Sequence, residues 1–291
     1  MAWNPKRIPD QSGRTFVVTG ANGGLGAVTT KVLAAKGATV VMACRNVAKA
    51  EQIAATIPGD VRVEPLDLAD LSSVRAFADN TAEFDVLVNN AGIMYVPFSR
   101  TADGFETQFG VNHLGHFALT GLLLDRVRDR VVTLSSIAHR QTPKFRIDDL
   151  NYEHRRYFRN LAYSQSKLAN LMFARELQRR LTAAGSKVRS YAVHPGVSAT
   201  ELFAHTETAL DHVLRPTMRL IGHSPAKAAH STLFAATTPD ADPEVYWGPN
   251  RLFGAQGPVV ACPSTRLSRD RELQLALWTE SERMTGVTYR F

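Results

Sequence analysis

Cysteine is nearly absent: Cys44 and Cys262 are the only two, far apart and without metal-ligand spacing around either. That excludes a disulfide framework and a cysteine-built zinc site, and it fits a reducing compartment. Long apolar runs are also missing. The best candidate, residues 117–124, falls well short of the roughly 20 apolar residues a membrane-spanning helix needs, so it reads as a buried helix. Residues 1–14 contain Trp, Pro, Lys, Arg and Asp and lack the apolar core of a secretory signal, so a soluble, cytoplasmic protein is expected. No internal repeat, low-complexity tract or Gly/Pro/Ser-rich linker divides the chain, and 1–291 is expected to be one domain. Acidic residues are in deficit, 27 against 34 Lys and Arg, giving a formal charge of +7. The basic residues are scattered, however. Their tightest pairs, Arg155-Arg156 and Arg179-Arg180, sit among acids and apolar residues, which indicates a solvated face and not a nucleic-acid groove.

Apolar residues are plentiful, 44% of 291, enough for a sizeable core. Valine-rich runs recur at 15–18, 39–42, 61–63, 86–88, 131–134 and 188–193, with helical patterns between most of them. This βαβα alternation predicts an α/β fold, a doubly wound, Rossmann-like parallel sheet with helices on both faces. Two stretches interrupt it: residues 137–161, a long loop before a helix, and 198–223, a mixed apolar and polar segment suited to short amphipathic helices. Both follow strand C-termini, where open α/β sheets bind ligands, and are expected to wall a substrate pocket.

The first run leads into Thr-Gly-Ala-Asn-Gly-Gly-Leu-Gly at 19–26, and a helical pattern follows. Strand, glycine turn and helix start together suit a pyrophosphate cradle at a helix N-terminus, although a plain βα turn has the same outline. A second pattern is Tyr163-Ser-Gln-Ser-Lys167, which puts a phenol and an ammonium four residues apart on one helix face. A cation there is expected to favour the phenolate and lower the tyrosine pKa toward neutrality. Cofactor preference is read from the second strand. Where NAD enzymes carry an acid, Ala43 and Cys44 stand here, followed by Arg45, which suits a 2′-phosphate and predicts NADP(H).

In order along the chain, the glycine turn, Asn89-Asn90-Ala91-Gly92, Ser135-Ser136, Tyr163-x-x-x-Lys167 and Pro195-Gly196 together resemble the short-chain dehydrogenase/reductases. Within them, Val111-Asn-His-Leu-Gly-His-Phe117, the run Tyr163 to Asn170, Leu277-Trp-Thr-Glu-Ser-Glu-Arg283 and the long separation of Ser136 from Tyr163 resemble the branch of retinol dehydrogenases, WW-domain oxidoreductases and protochlorophyllide reductases. The resemblance implies a catalytic set: Tyr163 exchanges the proton, Ser136 holds the substrate oxygen, Lys167 tunes the tyrosine and, like Tyr163, contacts the cofactor, Lys167 at the nicotinamide ribose, and Asn112 anchors a water relay to Lys167. Ser136 is preferred to Ser135 because strand neighbours face opposite ways. The resemblance further implies NADP(H) contacts from Gly20, Asn22, Gly24, Leu25, Gly26 and Arg45. Asp67 and Leu68 are expected beside the adenine. Asn89, Ala91 and Gly92 are expected along the cofactor, with Asn90 holding the sheet, and Pro195, Gly196, Val197 and Thr200 near its nicotinamide end. His113, His116, His139 and His194 lie on separate predicted elements and do not suggest a metal site.

The expected activity is NADP(H)-dependent interconversion of an alcohol and a carbonyl on a small, apolar substrate. A cofactor-binding regulatory protein with little turnover is the alternative. A sugar-nucleotide epimerase is disfavoured by the glycine spacing. A homo-oligomer is expected through the helices holding Asn112 and following Tyr163.

Overall fold

The structure, a computed structural model, describes residues 3–196 and 224–291. Each expected strand is present: β1 (Thr15–Thr19), β2 (Thr39–Cys44), β3 (Val61–Pro65), β4 (Phe84–Asn89) and β5 (Val127–Leu134) extend beyond their apolar runs, and β6 (Arg189–Val193) starts one residue inside its own. Successive side chains of a strand point to opposite faces, and here both faces are covered, which is why the strands read as unbroken apolar runs. Val17, Leu87 and Val131 enter one core with Phe117 and Leu168; Phe16, Val18, Val88 and Val132 enter the other with Leu33 and Leu233.

Helices α1 (Gly24–Ala34), α2 (Val47–Ala54) and α3 (Leu71–Asp79) alternate with the first strands, and β1 to β6 pair in parallel. The sheet order is β3-β2-β1-β4-β5-β6-β7-β8, so the direction of winding reverses between β1 and β4. A crevice opens there at the strand C-termini.

To the expected doubly wound parallel sheet the chain adds two strands that the apolar runs did not mark. β7 (Tyr246–Arg251) and β8 (Gln256–Ala261) add an antiparallel hairpin at the edge. Gly248 and Pro249 make β7 read as a turn. The strand tolerates them because its pairing with β6 is confined to Tyr246 and Trp247, so Pro249 removes no donor from that ladder.

After β4 the chain winds through α4 (Thr107–Phe109), a π-helical segment (Gly110–Leu114) and α5 (Gly115–Leu123). Residues 137–161 contain two 3-10 turns and lead into α6 (Arg159–Ala183). This stretch is fastened down along its length. The Tyr157 hydroxyl donates to Glu106 at 2.9 Å, Asn151 accepts the Glu106 N–H at 2.9 Å, and Arg155 donates to Gln165 at 2.8 Å.

The C-terminal helix Arg271–Thr285 packs across α5 and α6. Trp278 lies 5.1 Å from Phe117 and 5.9 Å from Phe173 between ring centroids, and the Tyr289 hydroxyl donates to the Phe117 carbonyl at 2.6 Å. On the two helices where sequence leads one to expect a homo-oligomer interface, the chain thus packs part of itself. Among the described residues no helix is long and apolar enough to cross a membrane.

Candidate active site

A cleft of about 680 Å3 runs over the ends of β1 and β4, from Arg45 and Lys49 at one extremity to Tyr163 and Lys167 at the other. That volume is in the range of small-molecule and cofactor sites. Its floor is the glycine turn. Gly20, Asn22, Gly24 and Leu25 line it, and Gly26 lies just beneath. A Cβ on Gly26 would stand 2.5 Å from the Gly20 oxygen and 2.7 Å from Asn90 Nδ2, so no larger residue fits without moving the turn. Gly23, which caps α1, brings no side chain to the first turn, leaving its N–H groups for an anion.

Along the wall, Asp67 and Leu68 follow β3, and Asp67 Oδ1 accepts the Ala69 N–H at 2.9 Å. Ala91, Gly92 and Pro195 line the cleft nearer Lys167. Free N–H groups beside a glycine turn, with a guanidinium at one end and an ammonium at the other, fit a dinucleotide. Gly20 to Leu25 would hold its diphosphate and Asp67 and Leu68 its adenosine.

Of the two adjacent asparagines, Asn90 and not Asn89 reaches the cleft. Asn89 does not line the cleft. As the last residue of β4 it is fully buried, faces α5 and donates to the Thr120 hydroxyl at 3.0 Å. Asn90, the first residue past the strand, lines the cleft and donates to the Thr19 carbonyl at 2.7 Å, so it also braces the sheet end as expected. Gly196 takes φ +81°, and the Ala255 oxygen occupies the space a Cβ there would need. Val197, Thr200 and the whole of 198–223 lie outside the described residues.

The four expected catalytic residues converge at the Lys167 end. Ser135 turns toward α6, donating to the Lys167 carbonyl at 2.7 Å, while the Ser136 hydroxyl accepts the Ala138 N–H at 3.2 Å and stands beside the Tyr163 phenol. Asn112 occupies the π-helical segment, in which Gly115 N–H reaches back five residues to the Gly110 carbonyl. Its side chain accepts from Ile93 N–H at 2.8 Å and donates to the Ile93 carbonyl and Ser166 Oγ, each at 2.9 Å. Gly92 is wedged between: a Cβ there would lie 3.2 Å from Lys167 Nζ and 3.3 Å from Asn112 Oδ1.

Electrostatics depart from the sequence expectation for Tyr163. Burial pushes its phenol well above the ordinary value, the Ser136 hydrogen bond works the other way, and Tyr95 adds to the rise. Lys167 Nζ lies 5.9 Å from the tyrosine ring centroid, and burial pulls the ammonium itself down to about 8. Desolvation of both groups therefore outweighs their attraction. At neutral pH the pair is a protonated phenol beside a protonated lysine, a proton donor ready for a developing alkoxide.

Several residues of the site escaped sequence reasoning. Lys49 lines the Arg45 end of the cleft, and its position in the first turn of α2, four residues after Arg45, was the available signal. Tyr95 holds φ +58° with its N–H on Gln108 at 2.8 Å, and its ring stands edge-on to Tyr163 at 5.5 Å. Of residues 137–161, expected to wall the pocket, Ala138 packs with Met94 and Tyr163. The histidines have separate partners: His113 meets Ser281 at 2.9 Å, His139 meets the Ser136 carbonyl at 2.6 Å, and His194 packs on Tyr246. Among the described residues no three His, Cys, Asp or Glu side chains gather as metal ligands.

The short chain dehydrogenase family model matches residues 14–147. Human retinol dehydrogenase 13 is 41% identical over 293 aligned residues, covering 94% of this chain and 85% of that protein. Mouse retinol dehydrogenase 14 is 37% identical, covering 94% and 86%. Among solved structures, a protein from Mycobacterium paratuberculosis is 48% identical with a TM-score of 0.87 over the whole of both chains. A 3-ketoacyl-(acyl-carrier-protein) reductase from Brucella melitensis, solved with NADH, has a TM-score of 0.61 at 22% identity over 78% of this chain and 92% of its own, a likeness of fold alone.

Proposed function

Because the chain belongs to the short-chain dehydrogenase/reductase family, in its retinol dehydrogenase-like branch, we propose that it is an NADP(H)-dependent oxidoreductase interconverting an apolar alcohol and its carbonyl. The observation that carries this reading is the continuous cleft with Arg45 and Lys49 at one end and Tyr163 and Lys167 at the other. Two cations flanking the adenosine end favour a 2′-phosphate, and the guanidinium offers it a two-pronged, charge-assisted hydrogen bond. The retinol dehydrogenase names of the similar proteins support a long, apolar, conjugated alcohol or aldehyde as the substrate class.

The chemistry a bound nicotinamide would supply is hydride exchange with the reacting carbon. The protein's share is to orient the oxygen and move one proton. Ser136 hydrogen-bonds to the substrate oxygen alongside Tyr163, whose buried phenol gives its proton as negative charge develops in reduction. The Lys167 cation stabilises the phenolate left behind. Asn112, held by Ile93 and Ser166, keeps the backbone at Gly92 and the helix bearing Lys167 in register.

The test is an oxidation and reduction screen over aliphatic, aromatic and retinoid-like aldehydes and alcohols, with each cofactor. At least a ten-fold higher kcat/KM with NADPH than NADH is expected. Equal values, or a preference for NADH, would refute the cofactor assignment, and no turnover of any carbonyl would refute the activity.

A further inference from the structure

His116 is fully buried, belongs to none of the groups the proposed reaction uses, and has every polar atom engaged. Its Nδ1 lies 3.0 Å from the Asn112 carbonyl, four residues back on the same helix. A carbonyl only accepts, so Nδ1 carries the proton. Nε2, 2.9 Å from Thr19 Oγ1, is then the acceptor of a neutral imidazole and takes the threonine's one proton. That leaves the Thr19 oxygen to accept the N–H groups of Asn90 and Ala91, each at 2.9 Å. The longer contact from Thr19 Oγ1 to the Val88 carbonyl, 3.4 Å, is the weaker alternative for that proton. Each donor and acceptor in the chain is matched. Burial, with Lys167 nearby, holds the imidazole down to about 4, so it stays neutral near physiological pH.

The two ends of this chain are the two halves of the site. Thr19 ends β1 beneath the glycine turn, and Asn90 and Ala91 form the turn along the cleft. Asn112 sits on the π-helical segment, a winding rare enough to need support from its surroundings. Its side chain is anchored toward Ile93 and Ser166, but its main chain is tied to the cofactor side through His116. We infer that His116 is a positioning residue: it locks the carbonyl of Asn112 to the end of β1, so that the dinucleotide-binding turn and the Asn112–Lys167 side of the site move as one body. The inference rests on the proposed catalytic set.

The decisive variants keep shape and remove hydrogen bonds in steps. His116→Phe removes both, His116→Asn retains a donor for Asn112 but falls short of Thr19, and His116→Gln spans both. In the cofactor-free protein, amide hydrogen exchange of the peptides containing Asn90–Gly92 and Val111–His113 is expected to accelerate together in His116→Phe and His116→Asn, and not in His116→Gln. With NADPH, kcat per cofactor-binding site should fall about ten- to hundred-fold in His116→Phe, carbonyl KM staying within about three-fold, since small misplacements of reacting groups carry such costs. His116→Gln should recover to within about three-fold of the original chain. If exchange and kcat are alike in the Gln and Asn variants, the inference is overturned, even where His116→Phe does not fold. A Tyr163→Phe control separates the two readings: retained turnover there overturns the catalytic set itself, and the role of His116 with it.

Discussion

Replacing Lys167 by Met should stabilise the protein while abolishing its activity. The lysine is 5% exposed, and burial lowers its pKa from 10.5 to about 8. At about 1.4 kcal/mol per pKa unit, holding the ammonium protonated in the fold at pH 7 costs about 3 kcal/mol. Methionine fills similar space without a charge. The hydrogen bond from Lys167 Nζ to the Leu134 carbonyl, 3.3 Å, is lost, but Asn170 Nδ2 still donates to that oxygen at 3.0 Å, so no acceptor is orphaned. The net gain should be about 1–3 kcal/mol at pH 7, or a rise in Tm of roughly 2–6 °C. The pH dependence has a definite sign. Because the folded pKa lies below the unfolded one, the unfolded chain binds more protons between them, and the original protein gains stability as pH rises from about 8 toward 10.5. Urea unfolding of both cofactor-free proteins between pH 7 and 10 should show a gap that narrows with pH. A variant less stable than the original at pH 7, or a gap that does not change, would refute the reasoning.

Other outcomes follow from the same geometry. Arg45→Ala should raise the KM for NADPH about ten- to hundred-fold and leave NADH kinetics nearly unchanged, as expected for loss of charge-assisted hydrogen bonds to a phosphate; steady-state kinetics with both cofactors will tell. Reductive kcat/KM should decline as pH rises past about 8, where Lys167 loses its proton, and a profile flat from pH 6 to 10 would contradict that assignment. Asn89→Ala should cost about 1–3 kcal/mol of stability with little change in NADPH affinity. Asn90→Ala should weaken NADPH binding, and calorimetric titration of the two variants distinguishes their roles.

Much of the fold was legible because a covered parallel sheet leaves a strong trace: apolar runs such as Val86-Leu87-Val88 serve both cores at once. The glycine turn and the Tyr163–Lys167 spacing were legible because both are local, a turn and one helical repeat. What stayed hidden depended on tertiary neighbours. Two adjacent asparagines look identical in a sequence, and only the point where β4 stops sends Asn89 toward Thr120 and leaves Asn90 in the cleft. The i, i+4 spacing of Tyr163 and Lys167 predicted attraction between them, yet their depth decides the direction of both shifts. The β7–β8 hairpin was masked by Gly248 and Pro249, whose turn-forming tendency is overridden at a sheet edge. His116 gave no sign of its role, since its link to Thr19 joins residues 97 positions apart.

In the proposed NADP(H)-dependent reaction Tyr163 moves the proton. Tyr163→Phe removes one oxygen from a buried, well-packed ring. Measured with the best carbonyl from the screen, kcat/KM should fall by at least about a hundred-fold, while the Kd for NADPH stays within about two-fold. Turnover within ten-fold of the original chain, at unchanged NADPH affinity, would contradict that role for Tyr163.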